Sequence, residues 1–208
     1  MSAPAVIHLV DDDAALRTAL ARLLGASGFD VRSYGSGREL LAALPLAPGC
    51  ILLDVDMPDL SGMQLQQELN ARASVLPIVF LTGNGTIALS VKAIKAGAED
   101  FLSKPIGRAE LLEAVERALA RGAAAQAGLD RADALRRRAA SLTAREHEVF
   151  GLVIQGLLNK QVAHALGNTE RTVKAHRHSL MEKMGAGSLA ELVQMGAQLG
   201  ILKQRTLD

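Results

Sequence analysis

The chain has 208 residues, a formal net charge of +1, 49% hydrophobic and 2% aromatic residues, and one cysteine. That is aliphatic material for two modest cores and no internal disulfide, so Cys50 is expected to be a buried small apolar residue. No apolar run reaches the ~18 residues that a membrane helix needs, and three aspartates interrupt the first run, which argues against a membrane span or signal peptide and for a cytoplasmic protein.

The first half alternates short apolar runs with helix-length amphipathic segments. Ala5–Val10, Cys50–Leu53, Pro77–Leu81 and Phe101–Leu102 read as buried strands, and Arg32–Tyr34 as a short second one. Ala14–Ser27 places Leu16, Leu20, Leu23 and Leu24 on one helical face, with Asp13 as N-cap and Gly28 as a stop. Ser36–Leu44, Ser61–Arg72 (opened by Met63 or Gln64), Ile87–Ala96 and Arg108–Arg121 read as further helices. Five βα units predict an α/β fold: a five-stranded, doubly wound parallel sheet.

In such a sheet the carboxyl ends of the strands share one edge, where ligands bind. Asp11 and Asp12, Asp54, Thr82 and Lys104 each follow or close a strand, so they are expected to converge there. Carboxylate oxygens are hard ligands that suit Mg²⁺, and a lysine and a threonine beside them can hold a phosphoryl group.

Residues 121–140 are rich in Ala and Arg, with Gly122 and Gly128 as weak points and an Arg136-Arg137-Arg138 run. They read as a partly helical linker, continuous with the fifth helix or hinged near Gly122. Residues 141–208 read as wholly helical. Thr143…Glu146 is a capping box. Asn159–Leu166, Glu170–Met184 and Leu189–Leu199 follow, with Gly167-Asn168 as a turn and Thr169 as a cap. Residues 1–120 carry 10 Lys+Arg against 14 Asp+Glu, and residues 121–208 carry 13 against 8. An acidic half joined to a basic half suits a metal-binding module coupled to a nucleic-acid-binding one.

LVDDD at 9–13, LLDVDMPDLSG at 52–62, FLTGNG at 80–85 and KAGAEDFLSKP at 95–105 together resemble the receiver domain of bacterial two-component response regulators. LTAREHEVF, GLLNKQVAHALG and TERTVKAHRHSLMEKM resemble the four-helix LuxR/FixJ-type helix-turn-helix domain, over about 142–205. The whole chain thus resembles a NarL/FixJ-family response regulator of the FixJ/StyR kind. The implied domains are a receiver over 1–120, a helical linker over 121–140 and a DNA-binding domain over 141–208.

The resemblance implies that Asp54 accepts a phosphoryl group from a sensor histidine kinase. Asp12 and Asp54 would ligate Mg²⁺ directly, Asp11 through water, and Asp56 through its backbone carbonyl. Lys104 would pair with the phosphoryl oxygens, Thr82 would swing towards them, and Phe101 would follow as a switch. Lys104-Pro105 would be a cis peptide. Among DNA contacts, Lys174 and His178 fall at base or groove positions with Ala175 between them, Arg177 projects outward, and Lys160, Arg171 and Thr172 fall near phosphates; His176 falls at a packed position. The last helix matches a pairing segment. The implied protein is a phosphoacceptor regulator rather than an enzyme, any autophosphatase activity being incidental. Phosphorylation would favour a homodimer on double-stranded promoter DNA, with RNA polymerase as a further partner and activation the expected outcome.

Asp56 departs from FixJ relatives, which commonly carry Arg or another residue there. Asp54-Val55-Asp56 also fits the DxD signature of haloacid-dehalogenase-type phosphatases. That signature normally lies near the N-terminus and leaves Asp11 and Asp12 unexplained.

Overall fold

The computed structural model describes residues 5–83 and 86–202, so Asn84 and Gly85 of the FLTGNG segment lie outside the described residues. The chain divides into two units, Met1–Ala127 and Gly128–Asp208.

In the first unit, strands β1 (Val6–Val10), β2 (Asp30–Tyr34), β3 (Gly49–Asp54), β4 (Ile78–Thr82) and β5 (Asp100–Ser103) form one parallel sheet in the order β2-β1-β3-β4-β5. The expected α/β class is the one observed. Alternation sorts the central strands onto two faces. Ile7, Leu9, Cys50, Leu52, Val79 and Leu81 meet helices α1 (Ala14–Ala26) and α5 (Arg108–Ala140) through Leu20, Leu24, Leu111 and Val115. Val10, Ile51, Leu53, Ile78 and Phe80 meet α2 (Gly37–Ala42), α3 (Gly62–Ala71) and α4 (Ile87–Lys95) through Leu40, Leu65, Leu69 and Ala93. Burial on both faces explains why these strands read as continuous apolar runs.

Two polar groups sit inside this packing. His8 Nε2 lies 3.0 Å from the Ala47 carbonyl, so it carries the proton, and Nδ1 accepts from the Tyr34 hydroxyl at 3.2 Å. Burial holds the His8 pKa below its ordinary value, which keeps the ring neutral. Cys50 is fully buried and burial pushes its thiol up to about 12, as suits an inert core residue.

Helix ends follow their caps. Asp13 accepts from Ala15 N and Leu16 N, and Ser36 and Thr86 cap α2 and α4. Ser61 and Gln64 form a capping box, so α3 opens at Gly62 rather than at Met63 or Gln64. The second helix ends at Ala42, two residues before a cis Leu44–Pro45 bond. Lys104–Pro105 is also cis.

The fifth helix takes the continuous of the two readings given for residues 121–140: it runs on past Arg121 without a hinge, 33 residues from Arg108 to Ala140. Gly122 does not break it. A Cβ there would lie 2.5 Å from the Gly49 carbonyl oxygen and 3.1 Å from Pro77 Cδ. The glycine therefore serves close approach of the helix to the start of β3 and the loop before β4.

In the second unit, α6 (Ala144–Val153), α7 (Asn159–Leu166), α8 (Glu170–Met184) and α9 (Leu189–Gln198) enclose a core of Val149, Phe150, Val153, Val162, Val173, Leu180, Met184 and Leu192. Leu135 and Ala139 from the end of α5 join it. Gly167, in the left-handed region at φ 62, turns the chain between α7 and α8, and Thr169 caps α8.

Gly122→Ala tests the close approach. Relief of helix propensity would stabilise by up to about 1 kcal/mol, but the carbonyl contact is expected to dominate and leave a net loss of about 1–3 kcal/mol in denaturant unfolding. A neutral or stabilised variant would mean that helix and loops separate freely.

Candidate functional site

The carboxyl edge of the sheet gathers the predicted acidic and basic groups. β1 and β3 are neighbours whose crossovers leave in opposite directions, which opens a crevice at their ends. Asp11, Asp12 and Asp54 reach into it, one carboxylate oxygen from each lying within 4.8 Å of the others. Lys104, just past β5, bridges Asp11 Oδ2 and Asp54 Oδ1 at 2.7 Å each. Asp11 Oδ1 accepts from Asp13 N at 2.9 Å, and Arg17 Nη1 donates to the Asp11 carbonyl at 2.6 Å.

Asp11, Asp54 and Thr82 are buried, Lys104 is half-buried, and Asp12 and Asp56 are exposed. Phe101 is half-buried and tilts against Phe80 at 6.1 Å between ring centroids. Lys104 N donates to the Thr82 carbonyl at 2.6 Å, tying β5's end to β4's.

Burial pushes the Asp54 carboxyl above its ordinary range; the Lys104 hydrogen bond and charge pull it back, and Asp11 and Asp12 push it up again. For Lys104, burial acts to lower the ammonium's pKa, but the hydrogen bonds to Asp11 and Asp54 outweigh it and the net shift is upward. Three carboxylates face one ammonium, so the cluster has a deficit of positive charge. Hard oxygen donors at this spacing fit a small divalent cation such as Mg²⁺.

The adjoining helices are held unevenly. Gln66 Nε2 donates to the Ala93 carbonyl at 3.3 Å and Asn70 Nδ2 to the Ala96 carbonyl at 2.9 Å, fastening the C-terminal end of α4 to α3. Towards its N-terminal end α4 exposes Ile87 (85%), followed by Val91 and Ile94. These three, at i, i+4 and i+7, form one apolar stripe.

In the second unit, Arg171, Lys174, Ala175 and His178 lie on one exposed stripe of α8, opposite buried Val173 and Leu180. Lys160 is exposed on α7. Thr172 is half-buried, its hydroxyl 2.8 Å from that of Thr169. His176 is half-buried. Arg177 does not project freely: it is half-buried and Nη1 donates to Asn159 Oδ1 at 3.1 Å, joining α8 to α7.

Sequence reasoning missed three contacts behind this surface. Arg145 Nη2 donates to the Leu166 carbonyl at 2.7 Å, at the turn between α7 and α8. Arg138 Nη1 donates to the Met184 carbonyl at 3.1 Å, the last turn of α8. Glu146 accepts from Ser179 Oγ (2.6 Å), Lys183 Nζ (2.7 Å) and Thr143 N (2.7 Å). The capping box showed only the last of these, because the other two partners come from a helix distant in sequence.

Comparison with known proteins adds the family. The profile described as "Response regulator receiver domain" matches residues 7–116, and "Bacterial regulatory proteins, luxR family" matches residues 140–196. Transcriptional regulatory protein FixJ of Azorhizobium caulinodans is 42% identical over 196 residues, covering 94% of this chain and 93% of that protein. The C4-dicarboxylate transport transcriptional regulatory protein DctR of Rhodobacter capsulatus is 42% identical over 192 residues, covering 91% and 98%. The structure of response regulator StyR superposes with a TM-score of 0.85 at 41% identity, covering 94% of this chain and 100% of that one.

The hydrogen bonds from Lys183, Ser179 and Thr143 hold the Glu146 carboxyl at about 2, against an ordinary 4.5. A depressed carboxylate stabilises above its unfolded value and loses that contribution as pH falls through its folded value. The second unit is therefore expected to lose stability on acidification from about pH 4.5 towards 2. Thermal unfolding followed across that window should show a shallower pH dependence in Glu146→Gln; an identical slope would sink the assignment.

Proposed function

The chain belongs to the two-component response regulators that join a receiver domain to a LuxR-type DNA-binding domain, and from that membership we propose a phosphorylation switch centred on Asp54. The observation that carries it is the Lys104 ammonium 2.7 Å from both Asp11 and Asp54, with Asp12 beside them. Residues 1–120 act as the receiver, 121–140 as a helical linker and 141–208 as the DNA-binding domain.

A sensor histidine kinase supplies the phosphoryl group. An Asp54 oxygen attacks phosphorus, the P–N bond to the kinase histidine breaks, and Asp54 becomes an acyl phosphate. Asp11, Asp12 and Asp54, with the Asp56 carbonyl, would hold Mg²⁺, which supplies positive charge to the phosphoryl oxygens when bound. Lys104 passes from the Asp54 carboxylate to those oxygens. The acidic Asp56 side chain, exposed beside the acceptor, tunes how long the acyl phosphate lasts.

Phosphorylation replaces a carboxylate of charge −1 with an acyl phosphate of roughly −1.5 to −2, a net gain of about one negative charge at most, and adds three acceptor oxygens at a buried point. The Thr82 hydroxyl turns towards it and Phe101 follows. The Gln66 and Asn70 bonds hold the C-terminal end of α4, so the rearrangement falls on its N-terminal end. There Ile87 and Val91, continued towards the held end by Ile94, offer an apolar stripe for a second copy, within the Ile87–Phe101 surface.

The dimer presents two copies of α8 to double-stranded promoter DNA, a gain through effective concentration. Lys174, Ala175 and His178 face the groove, and Lys160, Arg171 and Thr172 the phosphates. Arg177 contributes by bracing α8 against α7 and reaches the DNA from there. Bound in the cytoplasm, the dimer recruits RNA polymerase and activates transcription.

Incubation with Mg²⁺ and acetyl phosphate should add one phosphoryl group to the intact mass of the wild type and none to Asp54→Asn. No mass gain in the wild type, with Mg²⁺ binding confirmed, would point to a receiver that works without phosphate. Val91→Asp should take up phosphate normally yet stay monomeric in sedimentation. A phosphorylated dimer in that variant would place the pairing surface elsewhere.

A further inference from the structure

The four residues on the exposed stripe of α8 can read DNA only if the helix keeps one rotation about its own axis. Apolar packing does not secure that. Val173, Leu180 and Met184 are fully buried, but the attraction that holds them is non-directional. At a radius of about 5–6 Å, a helix rotation of about 20° carries a side chain about 2 Å sideways, enough to lose a hydrogen bond to a base.

A second, directional restraint lies on the flank of α8. Glu146 on α6 is 4% exposed, and its two oxygens hold Ser179 Oγ at 2.6 Å and Lys183 Nζ at 2.7 Å. Ser179 and Lys183 are i and i+4, neighbours on one helix face. By helical periodicity that face lies about 100° from the Arg171–His178 stripe and about 100° from the Val173–Met184 core stripe. The core and the carboxylate thus pull α8 in two different directions, which together define a rotation. Glu146 is itself fixed by Thr143 N at 2.7 Å. Arg138, on the Met184 carbonyl, holds the end of the same helix.

The charge arrangement points the same way. Lys183 sits on the helix that carries the basic stripe, yet its ammonium is engaged by a buried carboxylate. With the Lys183 side chain 34% exposed the pair is only partly buried, and ion pairs between the buried case and the surface contribute little net stability. Its use here lies in geometry.

We propose that Glu146 is a positioning residue for DNA recognition, fixing the rotation of α8 through Ser179 and Lys183, and that Lys183 points its charge inward instead of contacting a phosphate. This rests on the reading that α8 enters the major groove.

The test uses the full-length chain phosphorylated with acetyl phosphate. Its probes are a duplex selected by the wild type from a random library and a random-sequence duplex of equal length. In Glu146→Gln and Lys183→Met, the ratio of selected to random affinity should fall about 5- to 150-fold, the equivalent of one good base contact. Affinity for the random duplex and the slope of log K against log salt should not change. Mutating both residues should cost little more than mutating one. Unchanged ratios overturn the positioning role. A slope shallower by about 0.9 in Lys183→Met makes Lys183 a phosphate contact and overturns its inward assignment. If either variant loses helical circular dichroism, Ser179→Ala decides, since it removes one hydrogen bond and keeps the ion pair. A wild type that selects no sequence fails at the earlier step, the DNA-binding reading itself.

Discussion

The first unit depends on one ammonium group held between two buried carboxylates. Asp11 and Asp54 close adjacent parallel strands, and the sheet leaves them no way to avoid each other. Two carboxylates taken from water and set side by side repel, and each has lost most of its hydration. Lys104 offsets part of that cost from a third strand end. The upward displacement of Asp54 shows the balance is incomplete. A site built this way remains ready for further positive charge and sensitive to any added negative charge. Both properties are consistent with the phosphoacceptor role proposed for Asp54.

The second unit uses a similar pair to opposite effect. Glu146 also lies buried beside a lysine, but its carboxyl is held low, at about 2. The difference is in what offsets burial. For Asp54, burial outweighs the single ammonium and Asp11 and Asp12 add to it, whereas Glu146 receives a hydroxyl, an ammonium and a backbone N–H that outweigh its burial. A carboxylate fully supplied with donors keeps its charge, and one short of them when buried does so at a cost. One chemical pair thus leaves a carboxylate raised in the first unit and one held low in the second.

Much of this was legible from local pattern. Runs such as Cys50–Leu53 and Pro77–Leu81 declare buried parallel strands because both their faces are covered. Asp13, Thr143 and Thr169 declare helix starts because a cap bonds to its own next turn. Where reading along the chain went astray, a distant partner was responsible. Gly122 looked like a weak point in a helix, and it is the place where the helix passes the Gly49 carbonyl. Arg177 looked like a free basic side chain, and Asn159 holds it.

The sequence by itself determined the order of elements, the sheet's parallel class and the residue types at each strand end. These follow from periodicity, capping and strand boundaries, which are properties of neighbours along the chain. Only the tertiary structure decided that Lys104 bridges Asp11 and Asp54, that two amides fasten one end of α4, and that Glu146 receives Ser179 and Lys183. Each of those contacts joins elements far apart in sequence. A directional bond between such elements depends on where packing sets their backbones, and local pattern carries no record of that distance.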